Sequence, residues 1–255
     1  MREIRNIFYK ENTDKMNSLN MWLPDSDEFD VFIYIHGGGL QWGDKDDIEH
    51  ELLGEYLPQR NIANISINYR MYPDAKYPEY IEDCAAAVAW VFKNIGNYGK
   101  VNNIYVGGSS AGGYLSMMLC FDERWLAPYG IKPSEIAGWF HDAGQPTTHF
   151  AILQKERGME PYRNVIDEAG PLYYIERGKT YSPMIFLVSD NDMPARYEQT
   201  LLTVETLRFF GYGSLVKTEF LKGEHCFYVK KRDESGESML GKMVFDFIEW
   251  VRKKQ

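Results

Sequence analysis

The sequence predicts an α/β fold, a mostly parallel, doubly wound sheet with helices on both faces. Short apolar runs recur at 31–36 (VFIYIH), 62–67 (IANISI), 103–106 (NIYV), 136–140 (IAGWF) and 184–188 (MIFLV). Continuous runs of this length suit strands buried on both faces. Helical patterns lie between them, and a strand that returns parallel to its neighbour needs such a crossover. The chain has 255 residues, close to the ~200 to 250 that single α/β domains reach, so residues 1–255 read as one domain.

Taken in order, the first thirty residues differ from the rest. REIRNIFYK and NSLNMWLP read as two short, partly alternating strands, an antiparallel edge to the sheet. Helices are expected at 47–57 (DIEHELLGEYL), at 79–95 with its Ala-rich EDCAAAVAWVFKNI, at 112–120 and at 197–210 (YEQTLLTVETLRFF). A last strand, 214–221 (SLVKTEFL), precedes a closing helix over 238–253, in which Leu240, Val244, Phe247, Ile248 and Val251 share one face. About forty residues from Asp142 to Pro183 carry no clear strand. A connection of that length is usually functional, so the 142–182 loop is expected to form a small lid or cap, with a short helix near 149–157.

Composition narrows the function classes. Twenty-eight basic against thirty-seven acidic residues leave a net charge of −9, and without a Lys/Arg stripe a phosphate backbone would be repelled, so nucleic acid is not an expected partner. The N-terminus lacks the ~7 to 15 apolar residues of a secretory signal. No stretch reaches the ~20 apolar residues of a membrane span. Cys84, Cys120 and Cys226 are few and far apart, which argues against a disulfide framework or zinc module. These features point to a cytoplasmic protein with no membrane partner; they set no oligomeric state. Cys226 reads as a packing residue.

Residues 107–113, GGSSAGG, follow the NIYV strand and open a helix. In register, Gly108, Ser110 and Gly112 make GxSxG, the strained strand-to-helix turn that lifts a serine hydroxyl out of a sheet. The register centred on Ser109 would put Ala111 where the second glycine belongs. A serine nucleophile needs a base, and the base needs an orienting acid. Of the five histidines, His225 in LKGEHCFY lies past the last strand and is the expected base. His50 reads as a solvated helix residue, His36 as a brace for its loop, and His141 and His149 as structural or substrate contacts. For the acid, Asp192 in VSDNDMP is favoured because it sits in the turn and reaches sideways. Asp190 reads as bonding its own turn, and Asp142 in WFHDAG is a third option. HGGG at 36–39 closes another strand, and its backbone N–H groups suit an oxyanion, together with the N–H of Ala111 after the nucleophile.

With these residues in view, the chain resembles the α/β-hydrolase fold, specifically the HGGG-bearing esterase and lipase group, from about Tyr34 to Tyr228. The likeness rests on YIHGGGLQWGDK, NYRMYPDAKYPEYIEDCAAAVAWVFKN, VGGSSAGGYLS, SDNDMP and GEHCF. It implies a triad of Ser110, Asp192 and His225, oxyanion N–H groups from Gly38, Gly39 and Ala111, and a structural role for Asp83. The chain departs from hormone-sensitive-lipase-like members in lacking their long N-terminal cap, so cover is expected from the 142–182 loop. DAGQPTTHF and EAGPLYYIERG are similar to bacterial acetyl or feruloyl esterases. The resemblance implies a serine carboxylesterase for small-molecule esters with short acyl groups, with acetyl groups on small carbohydrates as the finer expectation. It requires no metal and no organic cofactor. An amidase of the formamidase type and a non-catalytic binder are the alternatives.

Overall fold

The computed structural model describes residues 1–11 and 13–254. Eight strands form one sheet: β1 (Arg2–Phe8), β2 (Ser18–Leu23), β3 (Glu28–Ile35), β4 (Ile62–Ile67), β5 (Lys100–Ser109), β6 (Gly138–Asp142), β7 (Met184–Asn191) and β8 (Val216–Glu224). Their spatial order is β1-β2-β4-β3-β5-β6-β7-β8. β1 pairs with β2, and β2 with β4, in antiparallel fashion, and every other pairing is parallel. The order doubles back around β3, the strand that leads into HGGG. The α-helices are α1 (Ile48–Tyr56), α2 (Glu79–Asn94), α3 (Ala111–Phe121), α4 (Arg196–Phe209) and α5 (Met239–Arg252).

Side chains alternate across a strand, and β3 shows how the two layers follow from its sequence. Val31, Ile33 and Ile35 pack with residues of α2 and α3 on one face. Phe32 and Tyr34 face the other way, with Leu53 of α1 and the Leu240, Val244, Phe247, Ile248, Val251 stripe of α5. Helix α5 starts where the Ser238 hydroxyl accepts the Gly241 N–H at 3.0 Å, an N-cap that offsets an orphan donor. Helix α3 is buried on every side, which is why AGGYLSMMLCF carries no polar stripe.

The expectation that His50 faces water is corrected by the structure. The residue is fully buried, with its ring edge-on to Tyr34 at 5.2 Å and to His36 at 6.1 Å. Helix α1 packs against α5 as well as against the sheet, so its amphipathic pattern leaves few positions in solvent.

The connection after β6 carries a π-helical turn at Ile152–Glu156 and a 3-10 turn at Pro171–Tyr174. It is tied down from below: the Tyr114 hydroxyl donates to the Ala169 carbonyl at 2.9 Å, and Tyr77 donates to Glu168 at 2.7 Å. Among the described residues, no helix is long and apolar enough to cross a membrane.

Candidate active site

The carboxyl ends of β3, β5, β7 and β8 converge on one cavity of about 620 Å³, the place where parallel sheets present their ligand sites. A shallower groove of about 910 Å³ beside α2 contains no serine, cysteine or histidine. The chemistry-bearing residues therefore select the smaller space.

Ser110 stands between β5 and α3 with φ 57° and ψ −115°. A non-glycine residue held there stores roughly 1 to 3 kcal/mol of backbone strain. The turn tolerates it because α3 begins hard against β3: a Cβ on Gly112 would overlap the Ile35 carbonyl oxygen. The result is a hydroxyl lifted towards the loop after β8. Ser110 Oγ lies 2.8 Å from Nε2 of His225, and Nδ1 of His225 lies 2.6 Å from Oδ1 of Asp192. A carboxylate only accepts, so Nδ1 carries its proton and donates to Asp192, leaving Nε2 to accept from the serine. The Asp192 side chain is fully buried, and its Oδ1 also accepts the Met193 N–H at 2.7 Å.

The other two acids of the sequence reading lie elsewhere. Asp190 is exposed and accepts the Gly223 N–H at 3.0 Å, a bond across to the end of β8 rather than within its own turn. Asp142 is fully buried beneath the elbow. Its Oδ2 accepts from Ser109 and its Oδ1 from the Tyr228 hydroxyl. Tyr34 in turn donates to Ser109 Oγ at 2.9 Å, and the Asp142 carbonyl accepts the Ser110 N–H at 2.8 Å. Asp142 therefore braces the turn that carries Ser110 and makes no hydrogen bond to His225. Burial pushes its carboxyl up to about 6, against the opposing pull of the bonds from Ser109 and Tyr228.

HGGG turns directly over Ser110. Gly38 has φ +103°, and a Cβ there would overlap the Trp42 carbonyl; glycine is required by both conformation and space. Among the described residues, no protein acceptor takes the N–H of Gly38, Gly39 or Ala111. His36 stacks on Tyr69 at 4.4 Å, with Nδ1 2.7 Å from the Gly37 carbonyl, and the Tyr69 hydroxyl donates to the His36 carbonyl at 3.0 Å. These contacts hold the loop from behind. Further back, Arg70 binds both carboxylate oxygens of Asp83, at 2.8 and 2.9 Å, and ties the NYR turn to α2.

His141 and His149 are buried and do not line the cavity. His141 stacks on Trp139 and meets Ser116 Oγ at 2.9 Å, and burial lowers its ring to about 3. Cys226 does line the cavity, with Sγ 3.7 Å from Nε2 of His225. From the connection after β6, Phe150 and Tyr162 supply one wall. Among the described residues, no group of three or more His, Cys, Asp or Glu is gathered to hold a metal ion.

The sequence reading missed the Tyr34–Ser109–Asp142–Tyr228 network. Its one local sign was Ser109, the first serine of GGSSAGG, whose partners are 33 and 75 residues away.

Comparison with known proteins places this geometry among relatives. The BD-FAE family model matches residues 19–125. The carboxylic ester hydrolase LipN of Mycobacterium tuberculosis is 31% identical over 132 residues, which cover 51% of this chain and 34% of LipN. Kynurenine formamidase of Meyerozyma guilliermondii is 33% identical over 131 residues, covering 48% of this chain and 47% of the relative. The chain thus spans about a third to a half of the length of these curated relatives. Among solved structures, esterase B from Lactobacillus rhamnosis superposes with a TM-score of 0.79 at 17% identity, over 99% of this chain and 87% of the other. That likeness establishes the fold.

Proposed function

We propose, from its similarity over part of its length to α/β-hydrolase esterases and from the fold it shares with them, that this chain is a serine carboxylesterase for short acyl esters, working as one catalytic domain. The observation that carries the reading is the relay from Ser110 through His225 to Asp192, with contacts of 2.8 and 2.6 Å, in a cavity also lined by Gly38 and Gly39; the N–H groups of these two glycines and of Ala111 are the donors this reading assigns to the oxyanion.

In this mechanism Ser110 Oγ attacks the acyl carbon while His225 Nε2 takes its proton. Asp192 keeps the imidazole oriented and stabilises its positive charge. The oxyanion receives the N–H groups, each worth roughly 100- to 1000-fold in rate. His225 then gives the proton to the departing alcohol. Water, activated by the same imidazole, releases the acid and restores Ser110. Acetyl groups on small carbohydrates are the finer substrate reading, supported by the aromatic side chains Trp42, Phe150 and Tyr162 around the cavity, whose faces suit sugar rings.

The test is a panel of acetate, butyrate and decanoate esters beside acetylated xylo- and manno-oligosaccharides, run with wild type and Ser110→Ala. Short esters should turn over and label with a fluorophosphonate only when Ser110 is present. Equal turnover by both proteins would remove the reading. The likeness to a kynurenine formamidase favours a second one, cleavage of formyl amides by the same apparatus. Aryl formamides compared with acetate esters at equal concentration separate the two.

A further inference from the structure

The cavity in front of Ser110 has a charged floor that neither the relay nor the oxyanion N–H groups use. Glu49, in the first turn of α1, lines the cavity although only 4% of its surface is exposed. Its Oε2 is buried and makes no well-aligned hydrogen bond among the described residues, its charged neighbour being Lys230. The Lys230 ammonium stands 3.4 Å from that oxygen and 3.9 Å from the Asp47 carboxylate. Helix-dipole stabilisation of an acid in a first turn amounts to roughly 0.3 to 1 kcal/mol, whereas burying an ion costs several kcal/mol. The dipole alone therefore does not account for a carboxylate here; the half-exposed Lys230 offsets part of the cost, and the pair as placed presents an acceptor and a donor to a ligand in the cavity.

Charge balance selects the ligand. Asp47 and Glu49 are matched in the lining by Lys230 and Lys231. An ion of either sign would meet a like charge, while a neutral hydroxyl donates to the carboxylate and accepts from the ammonium. Lys230 lies on the same loop as His225, the side from which the imidazole protonates the leaving alcohol. We propose that Glu49 and Lys230 form a specificity pair that hydrogen-bonds neutral hydroxyl groups on the alcohol portion of the substrate, so that polyol and sugar esters are preferred over alkyl esters of equal size. The assignment of the alcohol side rests on the esterase reading above.

Two measurements test it. In wild type, kcat/KM for glyceryl monoacetate should exceed that for propyl acetate by about tenfold or more, the scale of a hydrogen bond to a charged group. That ratio should fall towards one in Glu49→Leu and Lys230→Met and be largely retained in Glu49→Gln, which keeps an acceptor. Separately, calorimetric titration of acetylated xylobiose into Ser110→Ala reads binding without turnover, and adding Glu49→Leu should weaken Kd by about tenfold. A wild-type ratio near one, or the same Kd in both backgrounds, overturns the pair. Glu49-dependent binding in a protein with no Ser110-dependent hydrolysis would instead overturn the esterase reading and leave the hydroxyl subsite standing.

Discussion

Asp190 lies near the end of β7 and Asp192 just past it, and the direction of each side chain separates their roles. Asp192 is inward, fully buried and bonded to His225, while Asp190 is exposed and bonded to the Gly223 N–H. Replacing a triad carboxylate by its amide favours the wrong imidazole tautomer and lowers kcat by about 10⁴. Asp192→Asn is expected to do the same in steady-state ester hydrolysis. Asp190→Asn should stay within about twofold, the scale of a surface substitution. Ser110→Ala should cost on the order of 10⁶ in kcat. The reason these three residues can be found by reading is that each sits in a short local signature at a strand end. The environment of Asp142 is different: its partner Tyr228 is 86 residues away, and nothing near Asp142 in the chain announces that contact. His50 differs again: its ring packs on Tyr34 and His36 at the end of β3, a contact that the helical period around it does not show.

At the scale of elements, the β5–α3 turn is the part on which the site depends most. The GxSxG spacing is legible because the requirement is steric and local, whereas the strand limits are less so. β5 runs from Lys100 rather than Asn103, because the exposed Lys100 and the isolated Val101 still pair with Glu28 and Phe29 of β3; a continuous apolar run marks only the buried centre. The same close approach gives a test. A Cβ at position 112 would overlap the Ile35 carbonyl, so in Gly112→Ala either β3 or α3 must shift. Overpacking of this kind costs about 1 to 3 kcal/mol, which a lower urea midpoint should report. A displacement of Ser110 by about 1 Å should also slow its reaction with a fluorophosphonate by roughly 100-fold. Unchanged stability and labelling would mean that the elbow has slack the geometry does not suggest.

The molecule as a whole has opposing sets of buried ionisable groups, and their balance decides how it responds to acid. His36, His50, His141 and His149 are all buried, and desolvation lowers each of them, His141 from 6.5 to about 3. A depressed histidine stays neutral in the fold while the unfolded chain takes up a proton below about 6.5, so stability is lost as pH falls. Between pH 7 and 5, His141 alone removes about 2 kcal/mol. Asp142 works in the other direction. Its carboxyl is raised from 3.8 to about 6, so its contribution is present at low pH and lost as pH rises through 6; moving from pH 7 to 5 returns about 1 kcal/mol. Burial raises Glu49 as well, but the three remaining histidines add to His141, and the net result is a fold that weakens on acidification. Urea unfolding followed by tryptophan fluorescence at pH 7, 6 and 5 should show a falling midpoint. In Asp142→Asn the opposing contribution is gone, and the loss of stability from pH 7 to 5 should be steeper than in wild type by about 1 kcal/mol. A midpoint that is flat or rises as the pH is lowered would show that the buried histidines accept protons without leaving the folded state.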